Sequence, residues 1–122
     1  MKLKLFSIVL VLTLTSCVTP DREAIGPYPS DFKQIISKHI RETFYDPYSI
    51  RDAEITFPRE GHLFFKQGWI VCTKLNAKNR YGGYVGLTTT AYLIHNNQVF
   101  NSMKNAAMCS ELNFTKWELS AP

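Results

Sequence analysis

The densest group of residues able to bind something is Asn76-Ala77-Lys78-Asn79-Arg80-Tyr81-Gly82-Gly83-Tyr84-Val85-Gly86. Asn76, Lys78, Asn79 and Arg80 bring hydrogen-bond donors beside the flat rings of Tyr81 and Tyr84. Gly82, Gly83 and Gly86 permit positive φ and close backbone approach. Amide donors next to aromatic faces suit sugar rings, peptide termini or a partner's loop. The same residues also serve a plain hairpin, in which glycines make the turn and tyrosines staple a sheet edge. A phosphate cradle is excluded: it requires Gly-x-x-x-x-Gly-Lys-Ser/Thr, and no lysine followed by Ser or Thr comes after these glycines.

Signatures of catalysis are missing. There is no Gly-x-Ser-x-Gly elbow and no His-Glu-x-x-His helix, and His39, His62 and His95 stand apart with no metal-ligand spacing. The carboxylates Asp46, Glu54 and Glu60 are scattered. A thiol nucleophile built from Cys72 or Cys109 and a histidine would be lost if the two cysteines bridge. The expectation is a protein that is not an enzyme and holds no metal or dissociable cofactor, with a small cell-wall hydrolase ranking last among the readings.

The loop does not stand alone. Phe44-Tyr45-Asp46-Pro47-Tyr48-Ser49 lies upstream and Gly68-Trp69-Ile70-Val71-Cys72 runs into it. Together these segments resemble a family of small, mostly uncharacterised proteobacterial exported proteins. That family carries an Asp-Pro-x-Ser segment after a helix, then a Trp-x-Val-Cys strand leading to an Asn-Ala-Lys-Asn-x-x-Gly-Gly-Tyr-x-Gly loop. The resemblance covers roughly residues 44–86, with Thr73 where a glycine is usual and Leu87 where an aromatic is usual. It implies a periplasmic or envelope domain, often lipidated at its N-terminus, and no particular activity.

The N-terminus carries an address. Met1-Lys2-Leu3-Lys4 is a short basic start, and Leu5 to Ser16 are twelve apolar or small uncharged residues before Cys17. A spanning helix needs about 20 such residues, whereas a signal peptide needs about 7–15. Leu14-Thr15-Ser16-Cys17 resembles the bacterial lipobox, with a branched residue at −3 and a small one at −1. The resemblance implies cleavage after residue 16, a diacylglycerol on the Cys17 thiol and an N-acyl (palmitoyl) chain on its amine. Each buried methylene contributes about 0.8 kcal/mol, and two chains already hold a protein to a bilayer. In enterobacterial lipoproteins an aspartate after the lipidated cysteine favours the inner membrane, so Val18 points to the outer membrane, with the domain facing the periplasm.

The signal accounts for half of the apparent charge. The chain of 122 residues carries 14 Lys+Arg and 10 Asp+Glu, but Lys2 and Lys4 leave with the signal, so the mature chain is at +2. Without a Lys/Arg run this is no nucleic-acid footprint. Export also sets the cysteine chemistry. With Cys17 lipidated, Cys72 and Cys109 remain, and an oxidising compartment makes their disulfide the default pairing. Two separate thiols are the alternative.

The elements that position these residues follow from spacing. Val18 to Pro29, with three prolines and a glycine, reads as a spacer of up to roughly 40 Å. Ser30 reads as a helix cap, and Phe32, Ile35, Ile36, Ile40 and Phe44 form one apolar stripe bordered by His39 and Thr43 until Asp46-Pro47 ends the helix. From Ile50 the period becomes two. Ala53, Ile55 and Phe57 alternate with Glu54 and Thr56, Pro58 to Gly61 reads as a turn, and Leu63 to Phe65 as a short strand. Trp69 to Leu75 and Thr88 to His95 read as strands, Asn96-Asn97 as a hairpin turn into Val99-Phe100, and Met103 to Met108 as a helical turn. The expected fold is α+β: one N-terminal amphipathic helix on a small antiparallel β-sheet, stapled by a disulfide. Its organisation is a signal peptide (1–16), a lipidated cysteine and tether (17–29) and one domain (30–122).

The functional expectation is a non-catalytic envelope lipoprotein. Its small domain would meet a protein or the cell wall, as part of an outer-membrane, secretion or conjugation assembly. The alternative is a periplasmic inhibitor or immunity protein acting through Lys78 to Gly86.

Overall fold

The computed structural model describes residues 22–119; the expected signal segment, the lipid-attachment residue Cys17 and residues 18–21 lie outside the described residues. The elements in chain order are α1 (Arg22–Ile25), α2 (Phe32–Thr43), a 3-10 turn (Pro47–Ser49), β1 (Arg51–Ile55), β2 (Arg59–Leu63), β3 (Lys66–Lys78), β4 (Tyr84–His95), β5 (Gln98–Lys104), a second 3-10 turn (Ala107–Cys109) and β6 (Thr115–Lys116). The strands form one antiparallel sheet in the order β5-β4-β3-β1-β6, and β2 also pairs with β3. β1 and β2 share one edge of β3. The first lies beside Thr73–Asn76 and the second beside Lys66–Ile70.

The two-residue period of β3 divides the core. Val71 and Leu75 point to the face covered by α2, where they meet Phe32, Ile36, Ile40, Ile55, Tyr92, Ile94 and Trp117. Ile70 and Cys72 point to the other face and pack with Leu63, Ala91, Leu93, Ala106 and Cys109. The helix buries the stripe Phe32, Ile36 and Ile40, while Ile35 and Phe44 are only partly covered. Burying each of these side chains contributes about 1.5–3 kcal/mol, which is what fixes the helix on the sheet. Asp31 takes the N-cap position without a side-chain cap bond, so the expected Ser30 cap is not used.

Cys72 and Cys109 form a disulfide with their Cα atoms 5.8 Å apart. Both are buried beneath the face away from α2, and the bridge ties the segment after β5 to the central strand. Arg59 adds a second tie, donating from its guanidinium to the Met108 carbonyl.

Several boundaries differ from the sequence reading. α2 is preceded by the four-residue α1, and Ile25, Gly26, Tyr28 and Pro29 lie against the domain, where the sequence reads as spacer. Ile25 is 4% exposed and Pro29 is buried. Trp69 Nε1 donates to the Gly26 carbonyl at 3.2 Å, and Tyr28 meets the Trp69 ring edge-on at 4.9 Å. An isolated apolar residue between prolines gives no periodic signal, which is why Ile25 reads as spacer. Arg59-Glu60-Gly61, expected as a turn, is strand, and the turn falls at Phe64, whose φ is +54°. Gly61 is there for close approach: it pairs with Gly68, and a Cβ on Gly61 would lie 2.8 Å from Ile70 Cγ1. The alternation in β1 also breaks. Thr56 is buried, exchanging hydrogen bonds with the Cys72 backbone, while Phe57 is 65% exposed. Asn96 and Asn97 do make the expected turn, both at positive φ.

Candidate functional site

The segment singled out in the sequence is mostly strand. Asn76 and Lys78 close β3, Asn79 to Gly83 form the turn, and Tyr84 and Gly86 open β4. The turn is built by its asparagines. Asn79 Oδ1 accepts from the N–H groups of Tyr81 (3.0 Å) and Gly83 (3.2 Å), and the Asn79 backbone pairs with Gly83 and Gly82. Asn76 Oδ1 accepts from Gly86 N at 3.0 Å, where the ladder between β3 and β4 is irregular. Gly82 (φ +78°) and Gly86 (φ +90°) need left-handed backbone, whereas Gly83 does not, and a Cβ there would meet only Asn79 Oδ1 at 3.8 Å.

Tyr84 is committed too. Its hydroxyl donates to the Ser49 carbonyl at 2.8 Å, the Arg51 guanidinium lies 3.5 Å from its ring centroid, and Lys78 Nζ is 5.4 Å away on the same ring. Ser49 in turn donates to the Asp46 carbonyl at 2.9 Å. The Asp46-Pro47-Tyr48-Ser49 segment and the glycine-rich hairpin, far apart in sequence, are thereby fastened together. Arg80 and Tyr81 are left at the exposed tip, Tyr81 at 85% exposure.

Other side chains gather around this arm. Tyr45, Tyr48, Val85 and Leu87 are all exposed. β5 stops pairing at Lys104, opposite Thr90, so β4 from Tyr84 to Thr88 has no strand on that side among the described residues. Sequence reasoning passed over these residues. Tyr45 and Tyr48 were legible only as flanks of a helix-ending proline, Val85 only as part of the loop and Leu87 only as the residue that follows it.

A groove of about 550 Å³ opens between the C-terminal half of α2 and the arm. Phe44, Leu75, Ala77 and Val85 give it an apolar wall, and Tyr92, Thr90 and Ser102 supply hydroxyls. Tyr92 is buried, which pushes its phenol up to about 12, with the neighbouring Thr73 and Thr90 hydroxyls opposing. Thr73 Oγ1 itself makes no well-directed hydrogen bond. His39, edge-on to Tyr92 at 5.6 Å, titrates below its ordinary value because burial disfavours the imidazolium, with Glu42 opposing.

The histidines do not converge. His39 lies by the groove, His62 is exposed on β2, and His95 Nδ1 is 3.2 Å from the Ile25 carbonyl. Among the described residues no three His, Cys, Asp or Glu side chains are grouped to hold a metal. No protein-family model, curated protein or solved structure matches this chain.

Proposed function

We propose that the protein is a non-catalytic lipoprotein of the bacterial envelope that presents its hairpin arm to another envelope component. In this reading residues 1–16 direct export, Cys17 carries the acyl chains, and the domain faces the periplasm from the outer membrane. The partner is a protein of an outer-membrane, secretion or conjugation assembly, or the cell wall, and nucleic acid is not one.

The supporting observation is the polarity of the domain. Its N-terminal end is pinned at Trp69 and His95, through bonds to the carbonyls of Gly26 and Ile25. The tip lies beyond Lys78, nine residues along the same strand, a rise of about 30 Å. A tether entering at one end therefore leaves the arm and its exposed Tyr81 at the other, while Phe64, Phe65 and Phe100 are exposed at the near end. Confinement to a surface raises effective concentration, so even a weak contact at the arm is well occupied.

The inhibitor or immunity reading draws on one feature, the pre-organised turn. Asn79 holds Arg80 and Tyr81 in a fixed tip, and a rigid tip binds with little ordering cost. The two readings separate by stoichiometric binding to a purified enzyme, lost with Arg80→Ala or Tyr81→Ala, against co-purification with membrane proteins. The anchor is tested by Cys17→Ser, which should release the protein from membranes; continued retention would contradict it.

A further inference from the structure

We propose that the groove between α2 and the arm is a binding site for a small amphipathic anion: an apolar body, such as an acyl chain, ending in one carboxylate. This site is separate from the exposed tip and does not depend on what the tip meets.

The groove's volume, about 550 Å³, is that of a small-ligand pocket. Its wall of Phe44, Leu75, Ala77 and Val85 offers carbon surface to an apolar body, between side chains that carry hydroxyls. The charge around it has one sign. Among the described residues Lys78 and Lys104 line it and no carboxylate does. Neither lysine has an ion-pair partner among the described residues; Glu42 on α2 does not line the groove, lies 4.0 Å from Lys38, and its charge reaches His39, which does line it.

Register places the two lysines at different points along the groove, and the Lys78 ammonium lies 5.4 Å from the Tyr84 ring centroid. Lys104 stands opposite Thr90, which pairs with Thr73, and Lys78 lies five residues further along β3. An apolar body lying in the groove therefore has a cation near either end, so its carboxylate is met in either orientation, and a cationic head is repelled in both. The hydroxyls of Thr90 and Ser102 can donate to the head group.

The test uses the full lipidated chain in lipid nanodiscs with two photoreactive probes of equal length, a diazirine-bearing octanoate and the corresponding octylamine. Labelled peptides are mapped by mass spectrometry. The octanoate probe should label peptides containing Phe44 and Val85, be displaced by unlabelled octanoate, and exceed the amine probe there. Reversing both charges with Lys78→Glu and Lys104→Glu should lower octanoate labelling about tenfold and raise that of the amine. Val85→Glu, at an exposed position, should abolish octanoate labelling by placing a carboxylate in the groove. A preserved Cys72–Cys109 bridge and unchanged circular dichroism show that each variant folds. Equal labelling by both probes, indifference to charge reversal, or no label in the groove would overturn the proposal.

Discussion

The Tyr84 hydroxyl donates to the Ser49 carbonyl across 35 residues of sequence, and this bond holds the hairpin arm against the turn that follows α2. Arg51, 3.5 Å from the same ring, closes the clamp from β1. Tyr84→Phe keeps the ring and loses the bond, so it should lower unfolding stability by about 1 kcal/mol. Arg51→Ala should cost about 0.5–1 kcal/mol. Urea unfolding measures both, and a neutral Tyr84→Phe would mean that the bond adds nothing to the fold.

The three glycines of the arm should not behave alike. Gly82 and Gly86 occupy left-handed backbone, so alanine at either should destabilise by about 1–2 kcal/mol. Gly83→Ala meets no such strain and should be neutral within about 0.5 kcal/mol. Thermal unfolding of the three variants side by side checks this ranking. Equal losses would show that the turn is held by something other than backbone conformation.

A second glycine pair tests close packing in the sheet. A Cβ on Gly68 would lie 2.6 Å from the Ile94 carbonyl oxygen, which is backbone and cannot turn aside, while one on Gly61 meets the Ile70 side chain. Gly68→Ala should therefore be the costlier, by about 1–3 kcal/mol. Chemical denaturation of both variants decides it.

The disulfide is expected to carry much of the stability of so small a domain. It closes a loop with a sequence separation of 37 residues, for which the chain-entropy relation gives about 4 kcal/mol. Replacing both cysteines by alanine should remove about 2–4 kcal/mol. Non-reducing mass spectrometry should show a linked Cys72/Cys109 peptide, and two free thiols would contradict the bridge.

Tyr92 makes the fold sensitive to alkali. Its phenol, neutral when buried, titrates near 12 in the folded protein against about 10 when exposed. Between these values the unfolded chain has lost the proton while the native one keeps it. Stability from this group is therefore complete below pH 10 and falls as pH rises towards 12, by about 2–3 kcal/mol in all. Tyr92→Phe should flatten that limb, as unfolding curves from pH 8 to 12 would show.

How much of this could be read from sequence depended on whether the signal was local. The stripe Phe32, Ile36 and Ile40 and the alternation of Val71 with Cys72 are written in consecutive residues, and each marks a buried face. Asn96-Asn97 names its own turn. Gly61 and Gly68 gain their meaning only from each other, seven residues apart across a hairpin, so Gly61 looked like turn material. Ile25 is buried, which no nearby periodicity announces. The groove belongs to this second kind, since its wall joins α2, β3, β4 and β5. The glycine-rich segment lay between: its residues were visible, but only their geometry assigns Asn76, Asn79 and Tyr84 to holding the arm and leaves Arg80 and Tyr81 at its exposed tip.

The most direct measurement of that division is in-cell photocrosslinking of the full chain. The photoreactive residue is placed at Tyr81 on the tip, and at Phe65 on the turn at the opposite end of β3 as the reference position. The expected result is one discrete envelope species attached at position 81, lost with Arg80→Ala and missing from position 65. Attachment at 65 with none at 81 would contradict the arm as the presented surface.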